Sequence, residues 1–171
     1  MYLTRAEYDK KVNELNSDYW NEGRDYRWQY MSKVIDIAKE ICPYGAIIEA
    51  GASGIPLNDR SYLFDYPKHD LNVTPYKIYF SDDMVDNIPN KSFDLFIALQ
   101  TWEHLDKQQD AFREVMRISK AAILSFPYKW GKGHDKRHTG IDDKKISEWT
   151  CGVKPVKTML INKRAIYVWI F

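Results

Sequence analysis

Apolar and polar positions along this chain follow two rhythms, and the change from one to the other marks its elements. Residues 24–41 place Trp28, Met31, Ile35 and Ile37 at the three-to-four spacing of a helix face. Residues 4–7 carry the capping-box pattern, Thr followed three positions later by Glu, which predicts a charged helix running to about Leu15. The polar break between them, SDYWNEG, is expected to be a loop exposing Tyr19 and Trp20 over whatever lies beneath. From residue 46 the pattern shifts to short apolar runs: AIIE, then SYLFDY, KIYFSDD over 77–83, SFDLFIAL over 92–99 and AAILSFP over 121–127. SFDLFIAL is near-continuously apolar, as a strand buried on both faces requires. Helices are expected over 106–119, with Phe112, Val115, Met116 and Ile118 facing the sheet, and near 142–149. The runs VKTMLIN and RAIYVWIF stand about two residues apart and read as a β-hairpin. Alternating strand and helix units ending in a hairpin predict one α/β domain: three layers around a mostly parallel seven-stranded sheet, closed by an antiparallel C-terminal hairpin. Residues 1–44 would form a helical lid and residues 45–171 the binding core.

The segment AIIEAGASG over 46–54 stands out chemically. An apolar strand ends in an acid, Glu49, and breaks into Gly51, Ala52, Ser53 and Gly54. A ligand crossing the carboxyl edge of a parallel strand reaches backbone N–H groups only where side chains are small. Glu49, at the strand end, can accept hydrogen bonds from an amine or hydroxyl, so the turn suits a cationic or hydroxylated ligand better than a phosphate.

Composition narrows the classes. The 171 residues are 44% hydrophobic and 15% aromatic, enough for one buried core, and 25 basic against 24 acidic side chains leave a net charge of +1. Such balance provides no global field for nucleic acid or an anionic membrane, and neither partner is expected. Cys42 and Cys151 lack metal-ligand spacing, pointing to reduced thiols and a cytoplasmic setting. The first residues, MYLTRAEYDKK, hold no apolar signal segment, and no run approaches the ~18 apolar residues of a membrane span.

With these elements in order, the chain resembles the class I S-adenosylmethionine-dependent methyltransferases, which share a Rossmann-like fold, and in particular the small ones that methylate sugar hydroxyls and other metabolites. The likeness is carried by IIEAGASG, by an acid ending the second strand, by DDMVDNIPNKSFDLFIALQTWEHL and by AFREVMRISKAAILSFP. It implies S-adenosylmethionine as cofactor. Glu49, Gly51, Ala52 and Ser53 would floor its methionine part, and Asp65 would hold the ribose hydroxyls. Asp82, Asp83 and Met84 would meet the adenine, Leu99 and Gln100 the methionine carboxylate or sulfonium region, and Tyr19 would cover the ligand. The family turn ordinarily runs acid, x, Gly, x, Gly, x, Gly; here Ser53 replaces its second glycine and Gly54 arrives early.

Transfer to a hydroxyl needs a base, and His104, directly after the fourth strand, has the right titration range. His134 and His138 are the substitutes if the basic loop YKWGKGHDKRHTG folds in; with Asp135 they are ligand-type side chains, but no metal is expected of them. The expected activity is O-methylation of a sugar or glycan hydroxyl or a similar small metabolite, by a free protein or one domain of a larger glycan-synthesising enzyme. The alternatives are a non-catalytic binding module of the same fold and a nitrogen- or carboxyl-directed small-molecule methyltransferase.

Overall fold

A computed structural model describes residues 1–64, 88–105, 107–130 and 141–171. The expected strand over 77–83, together with Asp65, Asp82, Asp83, Met84, His134 and His138, lies outside the described residues. In chain order the elements are α1 (Arg5–Leu15), α2 (Asp18–Asn21), α3 (Arg24–Ile41), β1 (Ile47–Ala50), β2 (Tyr62–Phe64), β3 (Leu95–Leu99), a 3-10 turn (Trp102–His104), α4 (Gln108–Ile118), β4 (Ala121–Pro127), α5 (Asp143–Trp149), β5 (Lys157–Ile161) and β6 (Arg164–Ile170).

The local signals act where they stand. Thr4 caps α1 reciprocally: its hydroxyl accepts from Glu7 N, and Thr4 N donates to the Glu7 carboxylate at 2.8 Å. Gly23, at φ +74°, sets the start of α3. Asn162 and Lys163, at φ +48° and +61°, make the two-residue turn joining β5 to β6, with the left-handed pair that matches strand twist. The segment SDYWNEG differs from the expected loop. Ser17 O accepts from Trp20 N and Asn21 N, winding one turn of helix, α2, that turns Trp20 inward while Tyr19 stays 54% exposed.

The described strands form one sheet in the order β2-β1-β3-β4-β6-β5. The β2, β1, β3 and β4 neighbours are parallel, β6 runs antiparallel to β4, and β5 antiparallel to β6. β1 and β4 are buried along their whole length, and β3 nearly so, because helices cover both faces. Alternation along β1 sends Ile47 to the face under α3, beside Ile97, Ile123, Met31 and Val34. Ile48 and Ala50 go to the other, where Phe96, Phe112, Trp149 and Trp169 pack. Glu49 therefore points to the α3 face, below α2. Among the described residues no helix is long and apolar enough to cross a membrane.

Candidate functional site

From β1 the chain passes to β2 on one side, while β3 lies on the other, so a crevice opens at the carboxyl end of β1 where the strand order reverses. The turn at 51–54 floors it. Gly51, Ser53 and Gly54 all have positive φ, at +69°, +49° and +87°. Gly51 is required twice over: its φ disfavours a side chain, and a Cβ there would overlap the Thr101 hydroxyl. Thr101 is itself fixed, its Oγ1 donating to Leu99 O at 3.1 Å.

Glu49 is 3% exposed and accepts from Leu57 N at 2.7 Å, Asn58 N at 3.0 Å and the Ser61 hydroxyl. Burial pushes its carboxyl up to about 7, against the pull of those three donors. Two carboxylate oxygens offer about four acceptor positions, so one remains for a ligand amine or hydroxyl. The principal task of Glu49 in this structure is to hold the segment that returns toward β2.

Above the turn, Trp20 Nε1 donates to Ser53 O at 3.2 Å, which latches α2 onto the crevice. Tyr19 meets Trp20 edge-on at 5.3 Å, and the Arg27 guanidinium lies 4.1 Å from the Tyr19 ring centroid. Tyr30, Met31, Ile97 and Leu99 close the remaining wall. The crevice between these side chains is narrow, with about 30 Å³ of free space. The small-residue turn, the exposed Tyr19 ring and the remaining Glu49 acceptor position suit a hydroxylated, amine-bearing ligand.

Of the residues expected at the site, Tyr19, Glu49, Gly51, Ala52, Ser53 and Leu99 line this cavity together. Gln100 does not: its Nε2 donates to Ser125 Oγ at 2.9 Å and its Oε1 accepts from Arg164 Nε at 2.9 Å. His104 is exposed and outside the cavity wall. The 3-10 turn instead buries Glu103 at 2% exposure beside fully buried Trp102, and burial pushes the Glu103 carboxyl up to about 8. The sequence marks Trp20, with Tyr19, as an aromatic able to cover the site, but gives no such mark to Tyr30 or Thr101. Trp20 had a signal, an apolar residue in a polar break, but Thr101 had none beyond following the strand.

A protein-family model of a methyltransferase domain matches residues 67–122, about a third of the chain. No curated protein matches the sequence. Among solved structures, the chain is similar to a Haloferax volcanii protein described as a methyltransferase and crystallised with the Trm112 methyltransferase activator (TM-score 0.64, 14% identity, 96% of this chain and 97% of that one covered). It is also similar to a SAM-dependent methyltransferase from Aquifex aeolicus (TM-score 0.55, 11% identity, 98% and 100% covered). A third likeness is to a Sulfolobus solfataricus protein assigned to the type 11 methyltransferases (TM-score 0.51, 19% identity, 72% and 81% covered). These likenesses show the fold, a mixed α/β sheet of the Rossmann-like methyltransferase type.

Proposed function

We propose that the protein is an S-adenosylmethionine-dependent methyltransferase acting on a hydroxyl of a sugar, glycan or similar small metabolite. The observation that carries the reading is the small-residue turn at 51–54, in which Gly51 is kept free of side chain by the close approach of Thr101, set where the strand order reverses. The matched methyltransferase family supports it. Bound over that turn, S-adenosylmethionine supplies a methyl group on a sulfonium centre, ready for in-line displacement by a nucleophile.

The chain's own residues do the rest. Gly51, Ala52 and Ser53 present backbone to the methionine part, Glu49 offers its remaining acceptor position, and Leu99 bounds the cavity beside β3. Asp65 would take the ribose hydroxyls, and Asp82, Asp83 and Met84 the adenine. Tyr19 and Trp20 exclude water above the turn, and alignment of this kind contributes roughly 7 to 11 kcal/mol toward a displacement. His104, at the exposed rim of the 3-10 turn, would receive the acceptor proton, or else His134 or His138 from the segment after β4. The ring of Tyr19, 54% exposed beside the turn, favours a sugar-like acceptor. Calorimetric titration with S-adenosylhomocysteine tests the reading: saturable binding is expected. Absence of heat and of any thermal shift at millimolar ligand overturns it.

A further inference from the structure

Arg164 opens β6 opposite Pro127, at the carboxyl end of β4. Three aromatic rings surround its guanidinium, with centroids 4.2 Å (Tyr26), 5.3 Å (Tyr30) and 5.2 Å (Trp130) from its central carbon. The walls are themselves anchored: Tyr26 OH donates to Asn162 O at 2.7 Å and Trp130 Nε1 to Lys163 O at 3.1 Å. Arg164 Nε donates to Gln100 Oε1, and Gln100 is held from behind by Ser125 Oγ and by its own N–H to Ser125 O at 2.7 Å. Gln100 adopts φ +52° to do this, an uncommon conformation for a side-chain-bearing residue.

What the arrangement lacks is an acid. Arg5, Arg24, Arg113 and Arg117 each face a carboxylate; Arg164, like Arg27 and Arg60, faces none among the described residues, and its Nη1 alone among their arginine nitrogens is buried without a hydrogen-bond partner. Stacking on rings leaves the edge of a guanidinium as its means of recognition, and that edge fits a planar or tetrahedral oxyanion through paired N–H donors. Tyr30 is shared between this box and the cavity over the turn, so the two are contiguous. β6 lies three strand spacings from β1, about 14 Å, on the side away from β2. A cofactor whose ribose is held at the end of β2 extends the other way, which leaves the Arg164 side to the acceptor.

We propose that Arg164 is the receptor for an oxyanion on the acceptor, so that the substrate is an acidic metabolite bearing a carboxylate or phosphate. The assignment to the acceptor rests on the methyltransferase reading above. The test is side-chain ¹⁵N NMR of the full chain saturated with S-adenosylhomocysteine, the Arg164 Nε signal being identified by its loss in R164K. Sodium acetate and inorganic phosphate are titrated separately against chloride at equal ionic strength. A saturable movement of the Arg164 signal is expected with one of the two, and the arm that responds identifies the oxyanion. R164K, which keeps the charge and loses the fork, should weaken that binding about tenfold or more, read by thermal shift. Drift that never saturates and is shared by all arginine signals overturns the proposal, on the wild-type chain alone if the variant does not fold. Failure to bind S-adenosylhomocysteine overturns the methyltransferase reading instead, and the same titrations without it still report on Arg164.

Discussion

Replacing Trp20 by Phe should tighten binding of S-adenosylhomocysteine. The indole N–H holds Ser53 O at 3.2 Å, while the ring body packs against Tyr8 and Tyr19 at centroid distances of 6.3 and 5.3 Å. Phenylalanine keeps most of those ring contacts and removes the bond. One partly buried neutral hydrogen bond contributes about 1 kcal/mol, so the fraction of molecules with α2 lifted should rise about fivefold. With α2 latched the crevice has about 30 Å³ of free space, and for a ligand that binds only the lifted form the apparent Kd is inversely proportional to the lifted fraction while that fraction is small. Stopped-flow fluorescence and calorimetry should therefore show Kd falling about fivefold, carried by a faster kon with koff unchanged. Global stability moves the opposite way, because a smaller ring fills the site less well. A loss of about 1–2 kcal/mol corresponds to a fall in Tm of several degrees. An unchanged or slower kon would refute the latch.

Three further outcomes follow from the same geometry. Gly51→Ala should cost about 1–3 kcal/mol in urea unfolding, through its φ of +69° and the Thr101 overlap. Adding Thr101→Ala should recover only part, since the Thr101 Cβ would still lie 3.0 Å from the new methyl and the backbone strain remains; full recovery would contradict that division. Glu49, near 7 in the fold against about 4.5 unfolded, ionises first in the unfolded chain as pH rises. Its contribution is complete below pH 4.5 and is lost toward pH 7, a fall of up to about 3 kcal/mol that Glu49→Gln should remove from the stability–pH curve. An identical slope in the variant would dismiss that assignment. His104→Ala should lower kcat about a hundredfold on a hydroxyl acceptor with Kd for the cofactor unchanged, and retained kcat would favour nitrogen or carboxylate chemistry.

How much of this was legible from sequence depends on how far apart the cooperating residues stand. The Thr4–Glu7 cap, the Arg24–Ile41 helix and the Ala121–Pro127 strand are local patterns whose causes lie within a few positions, and each appears at its expected place. The small-residue turn was equally visible, because strain and close approach leave glycine as their mark. Glu49 was placed correctly at a strand end, but its donors come from residues 57, 58 and 61, after a turn whose path the sequence does not display. The pair Glu103–His104 shows a different difficulty. In a 3-10 turn successive residues face about 120° apart, and packing of Trp102 decides which goes inward. The acid is buried and the histidine left at the rim, against the ordinary preference of those residue types. Gln100 and Arg164 are 64 positions apart, so no spacing rule could join them.

The place of β6 also bears on how the chain is made. It is the last of the described strands, yet it fills the interior of the sheet, between β4 and β5. While a ribosome is still producing residues 164–170, β4 presents an unpaired edge along AAILSFP, every residue of which is buried in the finished fold. β5 has at that stage no strand to join. Until β6 docks, alone or already paired with β5, the nascent chain displays an apolar edge to its neighbours. The strand that closes the sheet's interior is thus the last to be supplied, and a change that weakens it leaves a sticky β4 edge rather than a merely looser fold.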